Sequence, residues 1–117
     1  MVLYEVNFEI PKQHYQEFTR LFDKHMDDGV NSDPKGFQFA GRWLRENKYE
    51  NRSEDVVLVT AHYYLRDRAA LQHYFDVNAD KVRAKFLDPI KDKIPLVVTR
   101  RILLADVESG HPPKLPR

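Results

Sequence analysis

Hydrophobic and polar residues alternate at the start of the chain, and apolar residues then recur at helical spacing. Between residues 2 and 10 every even position is aliphatic or aromatic, whereas Glu5, Asn7 and Glu9 dominate the odd positions. This period of two predicts a β-strand with one buried face. The apolar stripe that follows predicts a first helix, which we expect to end at residues 27–29 with Gly29 as its C-cap residue.

The most apolar stretch is residues 56–65, VVLVTAHYYL, in which nearly every side chain is β-branched, aromatic or aliphatic. That composition predicts a strand buried on both faces. Because successive side chains point to opposite faces, we expect Tyr63 on the helix side and His62 and Tyr64 on the other side. Asp67 follows at once, and we expect it to be the N-cap of a second helix because its carboxylate can accept from the free amides of the first turn.

The remaining pattern completes six elements. Residues 36–46 predict another strand, residues 47–55 a polar hairpin loop, and residues 94–104 the last strand. The second helix should end before Pro89, and the pattern leaves open whether it breaks near residues 78–80. The order is βαββαβ, which predicts an α+β, ferredoxin-like fold with a four-stranded antiparallel sheet and both helices on one face.

Length and composition narrow the class of protein. At 117 residues the chain has the size of one domain, which we assign to residues 1–105, and residues 106–117 are expected to form a disordered C-terminal tail. The net charge of +1 gives no reason to expect nucleic acid or a membrane as a partner, and the lack of cysteine excludes disulfides and thiolate catalysis. No run of transmembrane length and no signal-peptide pattern is present, so we expect a cytoplasmic protein.

A sheet with helices on one side only leaves its other face uncovered. In the strand at residues 56–65 that face carries more apolar surface than a monomer normally exposes to water. A second copy packing sheet to sheet would bury it, with twofold symmetry as the common solution. We therefore expect a homodimer with Asn7, His62 and Tyr64 in the dimer interface, and the pattern leaves open which of Arg100 and Arg101 faces the partner.

Three segments carry a family resemblance: LYEVNFEI near the start, HYYLRDRAALQHYF in the middle and TRRIL near the end. Together they resemble a bacterial domain-of-unknown-function family within the dimeric α/β-barrel superfamily, over roughly residues 2–104. The resemblance implies the ferredoxin-like fold and a sheet-to-sheet dimer, but no activity. Relatives in the wider superfamily include cofactor-independent monooxygenases, haem-degrading enzymes, stress-responsive barrels and small isomerases.

Several kinds of chemistry find no support in the sequence. A haem-degrading site would need a tryptophan on the third strand and a histidine late in the second helix, whereas Trp43 lies on the second strand and His73 early in that helix. No two histidines have the spacing of a helical zinc motif. No Gly-x-Ser-x-Gly segment or glycine-rich phosphate loop is present. We therefore expect no metal and no cofactor, and we assign no catalytic residue.

An aromatic-lined cleft between the sheet and the helices remains as a candidate site. Aromatic walls with a few polar groups are typical of small-molecule pockets. The predicted ligand-binding residues are Trp43, Tyr63, His25 and His73, and the expected ligand is a small apolar or aromatic molecule. The simpler alternative is that these aromatic side chains only fill the core.

A second group of polar residues is expected on the opposite face of the sheet. Its members are Glu5, Asn7, Arg42, His62 and Tyr64, with Arg101 as a further candidate. We interpret this group as a hydrogen-bonded part of the dimer interface. If His62 lay beside Glu5 and faced a cavity, it would be a candidate general base.

Three functions are therefore open at the level of the sequence. The first is a dimeric domain that binds a small apolar or aromatic ligand or has a structural role. The second is a cofactor-independent monooxygenase or isomerase, by analogy with the superfamily. The third is a protein-interaction module that uses residues 47–55 or the tail.

Overall fold

A computed structural model describes residues 1–106, and it follows the predicted order of elements. The strands and helices, in chain order, are β1 Val2–Pro11, α1 Tyr15–Ser32, β2 Phe37–Arg45, β3 Val56–Leu65, α2 Arg68–His73, α3 Ala79–Leu87 and β4 Val97–Leu104. Short 3-10 turns follow β1 and β2, at Lys12–His14 and Asn47–Glu50. Of the predicted tail, residues 107–117 lie outside the described residues.

The four strands form one antiparallel sheet in the order β2-β3-β1-β4. This is the ferredoxin-like arrangement predicted from the sequence. In the central pair of strands, Tyr4 lies opposite Tyr63 and Glu5 lies opposite His62. The register places the even residues of β1 toward the helices and the odd residues on the opposite side, which we call the open face.

The core lies between the sheet and the helices and is built from stacked aromatic rings. Phe18 and Phe22 on α1 are fully buried and stack at 5.2 Å between ring centroids. Phe8 from β1 meets the Phe22 ring edge-on at 5.0 Å, and Phe86 from α3 meets it at 5.3 Å. Such edge-to-face pairs stabilise a core beyond the area that they bury.

The join between β3 and α2 forms as predicted. The strand begins at Val56 and ends at Leu65, and the Asp67 carboxylate accepts a hydrogen bond of 2.8 Å from the amide of Ala70. The prediction of Asp67 as N-cap is confirmed. The second helical region does not break near residue 78, because a π-helical turn at Tyr74–Asn78 connects α2 directly to α3.

The end of α1 differs from the prediction. The helix continues through Gly29 to Ser32, and Asp33 is the C-cap residue. Gly29 is buried inside the helix, where the Tyr63 ring and the Val82 side chain are its nearest neighbours. The polar residues at 27–28 are typical of a helix end, but tertiary packing keeps the following residues helical.

Two further boundaries also differ. Pro11 is the last residue of β1, opposite Val56, one residue beyond the alternation that predicted the strand. The strand β4 begins at Val97 and not at residue 94, because Ile94 is buried in the turns that precede it. In the sequence, an apolar residue that is buried in a turn cannot be distinguished from the first apolar residue of a strand.

A β-bulge between Phe37 and Phe39 inserts one residue into β2. Phe37 therefore faces the helices, whereas Phe39, Gly41 and Trp43 point to the open face, opposite Tyr64, His62 and Thr60 respectively. One extra residue reverses the facing of every side chain that follows it. The alternation expected from the sequence assumes no inserted residue, so it does not predict this change of face.

None of the helices within residues 1–106 is both long enough and apolar enough to span a membrane.

The buried glycine of α1 supports a first prediction. A Cβ atom at position 29 would lie 3.8 Å from the Tyr63 ring and 4.0 Å from the Val82 side chain, which are ordinary contact distances. Because alanine favours a helix over glycine, Gly29→Ala should raise the free energy of unfolding by about 0.5–1 kcal/mol. Urea denaturation followed by circular dichroism measures this difference.

Gly41→Ala is the contrasting variant. A Cβ atom there would lie 2.7 Å from the Trp43 ring, so the ring would have to move, and we expect no gain in stability. A loss of stability in Gly29→Ala would contradict the packing of α1 against β3 described above.

Candidate functional site

A buried carboxylate stands at the centre of the open face. Glu5 is 6% exposed, and its Oε1 atom lies 3.2 Å from Nε2 of His62. Asn7 donates to Oε2 at 3.0 Å, and the Arg101 guanidinium donates to both carboxylate oxygens. Hydrogen bonds from Arg101, and secondarily from Asn7 and His62, outweigh the effect of burial and lower the pKa of Glu5 to about 2. The carboxylate is therefore ionised and fully compensated within the chain at neutral pH.

A second set of hydrogen bonds connects this centre to the β2–β3 loop. Thr60 donates from its hydroxyl to Oδ1 of Asn7 at 2.6 Å. Arg45 donates to the Thr60 hydroxyl at 3.0 Å and to the carbonyl of Val59 at 2.9 Å, and it forms an ion pair of 2.8 Å with Glu50 in the loop. The loop is therefore fixed on one end of the open face. We call these bonded side chains the open-face network, which comprises Glu5, Asn7, Arg45, Thr60, His62 and Arg101.

The strand register arranges apolar side chains beside the open-face network. Directly opposite one another across all four strands lie Phe39, Tyr64, Leu3 and Leu103. We call these four residues the apolar row. On the other side of Glu5, the Trp43 ring packs on the His62 ring at 4.7 Å and remains 44% exposed. A polar centre is thus bordered by aromatic and aliphatic surface that the chain itself does not cover.

The polar group predicted on this face assembles with one exception. Glu5, Asn7, His62, Tyr64 and Arg101 lie on the open face, and it is Arg101, not Arg100, that points there.

The exception is Arg42, whose predicted place on the open face is wrong. It lies on the helix side of β2, where it donates to Asp23 at 2.9 Å and to the Tyr15 hydroxyl at 3.1 Å. The bulge reverses the facing of β2, so Arg45 takes the place expected for Arg42. Alternation placed Thr60 on the open face but missed Arg45, and the only signal for Arg45 was the possibility of a bulge beside Gly36.

The cleft between the sheet and the helices is almost filled. A cavity of about 30 Å³ remains in it, room for one or two water molecules. Pockets for drug-sized ligands are about ten times larger. Among the residues that line the cavity, the polar ones are Tyr4, His25, Tyr63, Tyr74, Arg83 and Arg100.

The four predicted ligand-binding residues do not come together. Tyr63 and His25 line the cavity. Trp43 lies on the open face because of the bulge, and His73 is exposed at the end of α2, so neither borders the cleft. The predicted grouping is corrected in these two positions.

Three titratable side chains of the cleft, His25, Tyr63 and Tyr74, are held in their neutral forms. His25 lies 3.2 Å from the carbonyl of Val82 through Nδ1 and stacks on Phe86, and its burial lowers its pKa. Burial also raises the pKa of Tyr74 to about 12 and raises that of Tyr63 further. The two tyrosines therefore remain protonated at neutral pH and act as hydroxyl groups, not as bases. Within residues 1–106, no group of three potential ligands that could hold a metal ion is present.

The ionised Glu5 supports a prediction on acid stability. Its pKa is about 2 in the folded chain and near its ordinary value of 4.5 when unfolded, so the stability it contributes is complete above pH 4.5 and is lost as the pH falls toward 2. Between about pH 6 and about pH 3, the free energy of unfolding should fall by about 1–2 kcal/mol more in the wild type than in Glu5→Gln. This difference is smaller than the pKa shift alone would give, because water around the exposed Arg101 screens the ion pair. Urea denaturation at the two pH values measures it.

Glu46→Gln is the matched control, because Glu46 is exposed and has no ion pair within the described residues. It should follow the wild type at both pH values. Equal acid sensitivity of the wild type and Glu5→Gln would show that the carboxylate is not held as described.

Comparison with solved structures places the fold among known ones. The chain is similar to a dimeric ferredoxin-like protein from an uncultured marine organism, with a TM-score of 0.62 and 15% identity over 91% of this chain and 98% of that one. It is also similar to a de novo designed protein with a ferredoxin fold, with a TM-score of 0.54 and 13% identity over 95% of this chain and 93% of that one. At these identities the likeness shows the fold alone.

Comparison with curated proteins gives no match. A family model, described as a domain of unknown function (DUF4286), matches residues 1–104, which include all four strands and the three helices. The chain therefore belongs to the DUF4286 family and carries its domain on a ferredoxin-like α+β fold.

Proposed function

We propose that the domain acts as a homodimer in which the open faces of two copies pack together. The observation that carries this proposal is the apolar row beside the open-face network. Exposed apolar side chains flank the network at three places: Trp43 is 44% exposed, Val97 57% and Leu103 38%. Exposed apolar side chains around a satisfied polar centre are typical of protein interfaces.

The charges of the face support the same conclusion. Burying an unpaired charge costs several kcal/mol, whereas a compensated one can be covered at far lower cost. On this face Glu5 is matched by Arg101, Glu9 by Arg52, and Glu50 by Arg45. A second copy of the chain can therefore cover the face without having to supply a charge that pairs with it.

The fold comparison adds indirect support. The similar protein from the marine organism is described as dimeric. The roles predicted for Asn7, His62 and Tyr64 at a dimer interface agree with their position on the open face. Twofold symmetry would place the apolar row of one copy against the same surface of the other.

The other functions considered from the sequence stay predictions. The cavity in the cleft is too small as it stands for an aromatic ligand. The pairing of His62 with Glu5 is the arrangement expected of a candidate general base, but the residues lie on the face that the proposed dimer covers. No contact in the described part of the chain favours a monooxygenase, an isomerase or a protein-interaction module over the dimer.

Aspartate substitutions on β4 test the proposed dimer. Val97→Asp and Leu103→Asp each place a charge on the open face at a position exposed in the single chain, so folding should be retained. Each should raise the dimer dissociation constant at least about tenfold, because the charge would be desolvated without a partner. Sedimentation equilibrium of the wild type and both variants measures it.

Val77→Asp is the matched control, because Val77 is 55% exposed on the helical layer, away from the open face. It should remain dimeric. The only tryptophan provides a second readout, since emission from Trp43 should shift to the red when the wild type is diluted below its dissociation constant. A wild type that is monomeric at all concentrations, or variants as dimeric as Val77→Asp, would refute the proposal.

A further inference from the structure

The cleft has a cationic mouth that the proposed dimer leaves accessible, because it lies on the helix side of the sheet. Arg83 from α3 and Arg100 from β4 both line the cavity. Arg83 donates to the Tyr4 hydroxyl at 3.2 Å and lies 5.8 Å from the centre of the Phe75 ring. Both guanidinium groups lie close enough to His25 to help lower its pKa. Two positive charges are therefore held near one small cavity.

Neither of these two arginines has a carboxylate partner within residues 1–106. Most arginines in that range form ion pairs, namely Arg42, Arg45, Arg52, Arg66 and Arg101. Arg20 and Arg68 also lack a carboxylate, but neither lines the cavity. Uncompensated positive charge and a cavity thus coincide at Arg83 and Arg100.

The rest of the lining is apolar or provides neutral hydroxyl groups. Phe22, Phe86 and Val98 line the apolar side. Tyr63 and Tyr74 also line the cavity, and within the described residues their hydroxyls make no hydrogen bond to the protein. A ligand that fits this lining has one anionic group and a short apolar group, and it must be small.

We propose that this cavity binds a short aliphatic carboxylate, with its carboxylate group between Arg83 and Arg100 and its alkyl group toward Phe22 and Phe86. The guanidinium group is the side chain best suited to a planar carboxylate, because two parallel N–H donors match its two oxygens. The aromatic side of the cavity favours an ion with an apolar end over a fully hydrated one such as phosphate. The cavity has room for only one or two groups of water size, so the alkyl group must be short and the carboxylate must stay at the cationic mouth.

Titration of the full chain with propionate tests the proposal. Amide resonances in an NMR spectrum should shift saturably for residues around the cavity, at constant ionic strength set with chloride. Propionamide, which has nearly the same shape but no charge, should bind at least about tenfold more weakly. The result does not depend on the dimer, because the cleft and the open face lie on opposite sides of the sheet.

Two variants locate the site. Arg83→Gln and Arg100→Gln should each weaken propionate binding about tenfold, whereas Arg20→Gln, which removes the same charge from an exposed position on α1, should bind as the wild type does. If Arg83→Gln is unfolded because it loses its contact with Tyr4, the exposed Arg100 decides the test. Equal binding of propionamide, equal weakening by Arg20→Gln, linear shifts without saturation, or tighter binding of inorganic phosphate would each overturn the proposal.

Discussion

Three helices, two of them joined by a π-helical turn, cover one face of a four-stranded sheet. The buried carboxylate on the other face constrains much of the remaining structure. Glu5 sits near the middle of that face at 6% exposure. An isolated buried carboxylate would destabilise the fold by several kcal/mol. Here Arg101, His62 and Asn7 surround it, each from a position fixed by strand pairing. A slip of one residue between β1 and its neighbours would turn Glu5 toward the aromatic core, so the carboxylate also specifies the register of the sheet.

The same register explains how the open face is divided. The row that contains Glu5 is polar and is compensated from within the chain. The next row toward the end of β3 is apolar on all four strands, from Phe39 to Leu103. In the other direction, Arg45 and Glu50 hold the β2–β3 loop against the sheet. The charges of this face are paired within the chain, and one row of it is apolar. Such a face is better suited to a second copy of the chain than to an acidic or basic partner.

Much of the fold was predictable because its signals are local or strictly periodic. The alternation in β1, the apolar run of β3 and the cap at Asp67 each have a direct physical cause within a few residues, and all three are confirmed. The end of α1 was not predictable in this way, because packing of Gly29 against Tyr63 and Val82 overrides the polar residues around it.

The candidate site was predicted less completely, and the bulge in β2 is the main reason. A strand pattern carries no clear mark of one inserted residue, yet that residue sends Trp43 to the open face and Arg42 to the helix side. His73 is a different case, since helical spacing alone did not decide whether it pointed to the sheet or to solvent. Family membership does not supply the missing information, because the family describes a domain of unknown function.

The arginines on the two sides of the sheet differ in whether they have carboxylate partners. This difference indicates the role of each side. On the open face Arg45, Arg52 and Arg101 are all matched by carboxylates, so their charges serve folding and register. Arg83 and Arg100 beside the cleft have no such match in the described part of the chain. Aromatic rings already fill most of the cleft, and the fold gains little from two positive charges that line one cavity and repel each other. A charge that has no carboxylate partner and lies beside a cavity is better explained by a ligand of opposite charge than by stability.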